Sequence, residues 1–598
     1  MLNALSQDES LPNIWGEGAI FAFSGLDGET NARSGFVATY ANQPYSLLFH
    51  TPRRRLLTLH LPQSGEVYLA TGDVYVIQVD AGQAQVLGVA WATWHTIIGI
   101  LPADVDGIEI ALRFEDATEP KANPAHHPAA EDTWVTHDTV NEDALVLCLQ
   151  DRRFSLAYGT SVKEAQYRAK VGLTFNFVDV AQSRLDLYTH LPTLDAATVT
   201  EKRLFKKCVS VMKVNTLAAE GVIRQTWSTP DRVPHRDMWL WDSVFHTQAM
   251  NAISPPIAFD FLKSVLETQR EDGMIPHQSS PRGKTSRITQ PPLLAWGIWE
   301  NYIAYKQHRR FGCQDPTQAR ANLIYALPRL ERYLEWNLEN RDRNHNTLLE
   351  WFIEGDPLCR SGESGLDNSP RFDDAILLDA VDFSTFQAHD MHCMAQICQE
   401  LSLVERAKVW EQRAAAMRQA IHTQLWDETR GFYYDIDFAG NFSRTSAVTG
   451  FLPLLLEDIP EKRVQRLIKK LKDPTQFNTA FPIPSVAVSD PRWSTDMWRG
   501  ATWINLNYLV IQGLLKQKRK PEAQWLTDKT ITYVNKYYKR FGVLFEFFDA
   551  KEEVPPTHCD RKGSHRDPYD IRRKMDSIRD YHWTAALVAS LLLKRYSS

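Results

Sequence analysis

Three polar, aromatic-rich segments of this 598-residue chain hold the residues whose types and spacing could do chemistry. The first runs Pro234-His235-Arg236-Asp237-Met238-Trp239-Leu240-Trp241-Asp242, with Asp272-Gly273-Met274-Ile275-Pro276-His277-Gln278 and a stretch opening at Gln290 downstream. The second is Gly362-Glu363-Ser364-Gly365-Leu366-Asp367-Asn368-Ser369-Pro370-Arg371-Phe372-Asp373, preceded by Glu350-Trp351. The third is Gly542-Val543-Leu544-Phe545-Glu546-Phe547-Phe548-Asp549. Sugars present hydroxyls for bidentate hydrogen bonding and CH faces for aromatic stacking, and these segments mix acids, amides and arginine with indole and phenyl rings in the way such a ligand requires.

Each segment also has a plainer reading. Asp242 suits a helix N-terminus, with the neighbouring tryptophans in a core. In the second segment, two glycines and a proline exclude a helix interior, and the density of acids is expensive unless the loop is solvated or functional. Asp367 in such a loop could acquire a raised pKa and donate a proton; a solvated acidic turn is the alternative. Glu546, inside Phe-Glu-Phe-Phe, is either the outward residue of an alternating strand or a base held in an apolar pocket. Asp496 to Tyr508 and Tyr581-His582-Trp583-Thr584-Ala585 add further polar and aromatic groups.

In this order the segments resemble glycoside hydrolase family 63 and its relatives, the trehalases and the bacterial mannosylglycerate and glucosylglycerate hydrolases, over about residues 225 to 595. The family's Glu-Ser-Gly-x-Asp-x-Ser-Pro-Arg pattern places a general acid on Asp367. Its Trp-Arg-Gly-Pro-x-Trp-x-x-x-Asn-Tyr is echoed from Trp498 to Tyr508, with Ala501 in place of the proline. Its Glu-Tyr-Tyr-Asp segment places a base on Glu546, and a terminal Trp-Thr-Ala follows. The resemblance implies an (α/α)6 barrel, inversion at an α-glycoside, and no cofactor or metal. It also implies a sugar subsite lined by Trp239, Trp241, Asp242, Gln290 and Arg499, with Trp351 and Trp503 as stacking platforms or core. Inversion needs the two carboxyl groups about 6.5–9.5 Å apart, leaving room for a water. The partner implied is a small carbohydrate, from which a terminal α-linked glucose or mannose is released.

The elements that must position these residues fall into two kinds. The first third reads as short β-branched and aromatic strands broken by Gly, Pro, Asn and Asp, among them Ser46-Leu47-Leu48-Phe49 and Leu173-Thr174-Phe175-Asn176-Phe177-Val178-Asp179-Val180, which argues for an antiparallel β-sandwich over residues 1–195. Helical periodicity takes over through a linker at 196–224 and dominates a catalytic domain at 225–598, with clear amphipathic stretches at 320–341, 385–426 and 461–471. Its long aromatic-rich loops are not those of a simple bundle and are where function is expected.

A formal net charge of −6 gives no reason to expect nucleic acid or an anionic membrane as partner. Cys148, Cys208, Cys313, Cys359, Cys393, Cys398 and Cys559 are odd in number and scattered, and the opening residues lack the basic-then-apolar pattern of a leader, which together favour a cytoplasmic protein. Trp91, Trp94 and Trp134 are expected in the core of the β-domain. The charged run between Asp549 and Tyr581, including Lys551, Glu552, Glu553, Arg561, Lys562, Arg566, Arg572, Arg573 and Lys574, reads as a flexible lid or a solvated insertion, with the solvated insertion the expectation. A phosphorylase or a non-catalytic sugar-binding protein on the same barrel are the competing readings. An epimerase or lyase would need His235, His277 or His389 in a paired motif, which none has.

Overall fold

The computed structural model describes residues 5, 8–41, 45–62, 65–80, 85–103, 105–117, 132–307, 316–563 and 576–596. The chain forms two compact units. One consists of residues 1–236, 535–544 and 592–598, the other of residues 237–534 and 545–591.

The first unit contains β1 (Ile20–Phe21), β2 (Ala38–Tyr40), β3 (Ser46–Phe49), β4 (Arg55–His60), β5 (Glu66–Ala70), β6 (Val74–Asp80), β7 (Gln85–Thr93), β8 (Thr96–Ile100), β9 (Glu109–Phe114), β10 (Asp132–Asp138), β11 (Asp143–Gln150) and β12 (Arg153–Gly159). They build two antiparallel sheets, ordered β1-β2-β3-β4-β9 and β10-β11-β12-β8-β7-β6-β5. Alternate residues of both sheets, such as Leu57 and Leu59 from the first and Leu87, Trp91, Leu145 and Leu147 from the second, enter one core. The other face of β11 and β12 is buried too, because Ala144, Val146, Cys148 and Ala157 pack under Ala165 and Ala169 of α1 (Val162–Gly172). Trp91 is core, and Trp94 and Trp134 pack partly buried against it, as expected.

The strands of the two large sheets stop at Gly159, earlier than the sequence reading places their end. The run Leu173 to Val180, expected as a strand, is instead a turn followed by the start of α2 (Phe177–Thr189). Asn176 overrides the β propensity of its neighbours: its side chain accepts hydrogen bonds from the Val178 and Asp179 amides and caps the helix. Residues 196–224, read as a helical linker, hold α3 (Val199–Val214), which opens on a full capping box between Thr198 and Glu201. Glu201 also accepts from Tyr596 Oη at 2.7 Å, so the end of the chain is fastened to the start of this helix.

In the second unit the helices are α4 (Leu240–Ile253), α5 (Pro255–Leu266), α6 (Leu294–Gln307), α7 (Pro316–Arg341), α8 (Val381–Glu400), α9 (Val404–Gln424), α10 (Glu461–Leu471), α11 (Ile504–Lys516), α12 (Lys520–Phe541) and α13 (His582–Tyr596), the last two extending into the first unit at their C-terminal ends. Burial sorts them. α4, α8 and α11 are buried almost all round, whereas α9 and α10 bury a single stripe. α4 packs on α6, α6 on α8, α8 on the 3₁₀ segment Val448–Leu455, and that segment on α11. Tyr508 of α11 reaches Ser590 of α13 at 3.0 Å, and His582 of α13 stacks on His246 of α4 at 3.6 Å. Two-residue ladders stand at helix starts: Met238–Trp239 pairs with Gln278–Ser279 ahead of α4, and Thr502–Trp503 pairs with Phe547–Phe548 ahead of α11. No helix among the described residues is long and apolar enough to cross a membrane.

Candidate active site

The acid-bearing loop is held from beneath by charges the protein itself satisfies. Glu363, fully buried, accepts from the Phe352 amide at 2.7 Å, from the Thr289 amide at 3.2 Å, and from both arms of Arg341 at 2.7 and 3.1 Å. Arg371, whose side chain is also fully buried, pairs with Asp382, and with both oxygens of Asp435 at 3.2 Å. Burying these ions is costly, and the pairing with multiple hydrogen bonds is what makes it tolerable. Gly365 turns the loop at φ +71°, and the Trp241 ring lies against it. Only a residue without a side chain fits that approach.

This scaffold presents Asp367 at the mouth of the loop with its side chain 22% exposed. The next residue, Asn368, donates to Asp496 at 2.9 Å and accepts from the Trp498 amide at 3.1 Å, knitting the acid loop to the Asp496–Arg499 segment. Asp496 then accepts the backbone amides of Lys562 and Gly563, each at 2.7 Å. That anchorage delivers two consecutive cations. Lys562 Nζ lies 2.7 Å from Asp367 Oδ2, and the Arg561 guanidinium donates to Glu546 at 3.0 and 3.4 Å. Asp367 and Glu546 are therefore spanned by one dipeptide.

Glu546 is 2% exposed and belongs to no alternating strand, because Phe545, Phe547 and Phe548 around it are all fully buried. Its backbone amide donates to the Ile578 carbonyl at 2.8 Å, and Phe547 exchanges two hydrogen bonds with Ser577. Ser577 and Ile578 thus clamp the backbone that carries the carboxylate.

Two expectations need correcting. Asp367 does not have a raised pKa: burial pushes it up, but the Lys562 ammonium in direct contact, with smaller contributions from His277 and Arg561, brings it below the ordinary aspartate value. The charged run is not simply solvated either, since Arg561 is buried against Glu546 and Cys559, Ser577 and Ile578 are fully buried; Arg566, Arg572, Arg573 and Lys574, like Cys313, lie outside the described residues. Spacing alone could not reveal a contact made 195 positions along the chain, from 367 to 562. His277 went unselected too. Burial pushes its imidazole down to about 4, its ring stands edge-on to Trp239 at 6.4 Å, and Asp367 is among its charged neighbours.

The remaining sequence-selected residues divide by what they touch. Trp239 is half-buried at the N-terminus of α4 and Asp242 is buried in its first turn. Gln290 accepts the Trp241 amide at 3.2 Å. Arg499 forms a bidentate pair with Asp373 at 2.7 and 2.8 Å and donates to the Asn368 carbonyl at 3.1 Å, so it braces the acid loop. Trp241 is buried among Phe245, Trp498 and Trp583. Trp351 stacks on Phe383 at 3.7 Å and Trp503 on Trp498 at 3.6 Å, each 1% exposed; both pack as core rings. Among the described residues no group of three or more His, Cys, Asp or Glu is arranged to hold a metal ion.

Residues 234–566 match the family described as mannosylglycerate hydrolase MGH1-like glycoside hydrolase domain. An uncharacterized protein of Borreliella burgdorferi is 27% identical over 270 residues, a match that takes in 44% of this chain and only 52% of that one. A mannosylglycerate hydrolase of Thermus thermophilus is 23% identical over 388 residues, covering 51% of this chain and 86% of its own. The crystal structure of a family 63 mannosylglycerate hydrolase from Thermus thermophilus in complex with glucose superposes with a TM-score of 0.52 at 21% identity, over 65% of this chain and 99% of that one. With more than half its length matched by the family, this chain belongs to the MGH1-like glycoside hydrolases of family 63.

Proposed function

We propose that this chain is an inverting hydrolase that releases a terminal α-linked glucose or mannose from a small glycoside, with Asp367 as general acid and Glu546 as general base. The observation that carries the reading is the Arg561–Lys562 dipeptide: adjacent residues contact one carboxylate each, which supports placing both carboxylates, 179 positions apart in sequence (546 minus 367), at one site. In this reading Asp367 protonates the leaving oxygen while Glu546 draws a proton from a water on the opposite face of the sugar ring. Arg561 fixes the orientation of the Glu546 carboxylate through two N–H donors. His277, uncharged at neutral pH, can exchange hydrogen bonds with a sugar hydroxyl beside Trp239.

An (α/α)6 barrel that follows a β-sandwich in the sequence is the architecture we read from the helix order. The packing series α4, α6, α8, Val448–Leu455, α11 and α13 returns to α4 through the His582–His246 stack, which supports a closed inner ring with the more exposed helices outside. The relative named mannosylglycerate hydrolase supports a small mannoside among the substrates to try.

Proton NMR of the released sugar tests the reading, using methyl and natural α-glucosides and α-mannosides with the parent enzyme, Asp367→Asn and Glu546→Gln. The β-anomer is expected first, and both variants are expected to lose at least about a hundredfold in rate. First appearance of the α-anomer, or parental rates in either variant, would remove the assignment.

A further inference from the structure

The Lys562–Asp367 contact sits awkwardly with proton donation, and the awkwardness is informative. A general acid must present a protonated oxygen to the glycosidic oxygen. Here an ammonium occupies Asp367 Oδ2 at 2.7 Å, on the carboxylate that would have to carry that proton. The arm is anchored at its base and partly exposed along its length. Its backbone amide and that of Gly563 are fixed to Asp496, its neighbour Arg561 is fixed to Glu546, and its own side chain is 32% exposed. A lysine so placed can swing its ammonium into solvent without disturbing the turn that carries it, because the flexible four-carbon stem has many rotamers.

We propose that Lys562 is a positioning residue that governs the general acid: its ammonium holds Asp367 as a carboxylate, and turnover begins only once that contact is broken and a proton replaces it. This rests on the reading of Asp367 as the acid. Among the described residues, the groups facing Asp367 are Lys562 and Arg561 from the segment after Asp549, His277 from the loop ahead of α6, and Cys359 from the strand-free stretch before the acid loop. His277 is pushed down to about 4 by burial and the Cys359 thiol up to about 12, so neither changes charge near neutrality, and Arg561 is already engaged with Glu546. Lys562 is left as the partner whose removal alters the acid. It follows that Lys562 sets the alkaline edge of activity: while the ammonium stays, protonated Asp367 is scarce at neutral pH, and losing the lysine makes it more abundant.

The test compares Lys562→Met and Lys562→Arg with the parent on two substrate types: methyl α-D-mannoside and methyl α-D-glucoside, whose alkoxide leaving groups need a proton, and the α-D-mannosyl and α-D-glucosyl fluorides, whose fluoride leaves without one. For the methyl glycosides, Lys562→Met is expected to move the alkaline limb of kcat/KM to higher pH and to raise kcat/KM at pH 8 by about tenfold, within the span attributed to acid catalysis. The fluorides should change by less than about twofold, and Lys562→Arg should keep the parental profile by preserving the charge. Three results would overturn the proposal: an unmoved pH profile in Lys562→Met, an equal fall on both substrate types through a raised KM, or the same response from Lys562→Arg. Turnover of the fluorides with either of the first two leaves the hydrolase reading standing, whereas failure of parent and variants on all four substrates removes both.

Discussion

Gly365 lies so close beneath Trp241 that a Cβ there would stand 2.4 Å from the ring carbon Cζ2, at a backbone φ of +71°. The acid loop and the first turn of α4 are thereby held at a spacing that no side chain allows. Gly365→Ala combines a left-handed backbone penalty of about 1–2 kcal/mol with overpacking of about 1–3 kcal/mol. It is expected to lower the thermal midpoint clearly and to reduce kcat, since Asp367 is two residues on. Calorimetry and initial rates check this, and an unchanged midpoint would contradict the packing described.

Arg371 neutralises two buried aspartates, Asp382 and Asp435. Arg371→Met leaves both without their cation and should cost about 3–5 kcal/mol, the penalty for breaking a buried pair. Urea denaturation measures it. The double change Arg371→Met with Asp435→Asn should recover part of the loss, as expected for coupled neighbours.

Asp496 is the knot that joins Asn368 to the amides of Lys562 and Gly563. Asp496→Asn keeps the shape but loses one acceptor oxygen, so the turn is loosened and Arg561 no longer holds the Glu546 carboxylate in place. A fall in kcat/KM of about 10- to 100-fold with a nearly unchanged thermal midpoint is expected, the size of effect that small misplacements at a reacting centre produce.

Asp390, fully buried on α8, accepts the Ala295 and Trp296 amides at the start of α6, and burial pushes its carboxyl up to about 8 from the ordinary 3.8. The folded state therefore holds a proton that the unfolded chain releases near pH 4. Stability from this group is complete below about pH 4 and declines as pH rises toward 8, by at most about 1.4 kcal/mol per pH unit. Asp390→Asn should remove that decline, so the stability difference between parent and variant changes between pH 5 and pH 7.5. Parallel stability curves would refute the raised value.

Much of this was legible beforehand. Alternating apolar residues in Leu56-Leu57-Thr58-Leu59 and the 3.6-residue stripe of Glu461–Leu471 follow from local periodicity, and both elements formed where expected. Glycine and proline in the acid loop ruled out a helix, and the loop is there, with only single 3₁₀ turns. What failed was decided at longer range or by one atom. A single capping amide, Asn176, converted an aromatic, valine-rich run into a helix. The charge state of Asp367 depended on Lys562, whose surroundings in sequence are an ordinary run of charges. Trp351 and Trp503 looked like equal candidates for platform or core because indole serves both, and only the stacked Phe383 and Trp498 distinguish them.

The two compact units are not successive stretches of chain. The polypeptide passes between them after residues 236, 534, 544 and 591. The first unit, although translated first, cannot receive its last piece until the whole of the second has left the ribosome, including Tyr596, whose hydroxyl meets Glu201 at the head of α3. Neither unit can be excised by a single cut near residue 236 with all of its own residues, and a fragment ending there would lack two strips of its own packing. In order of synthesis, the strands of the first unit come early and the contact of Tyr596 with α3 comes late.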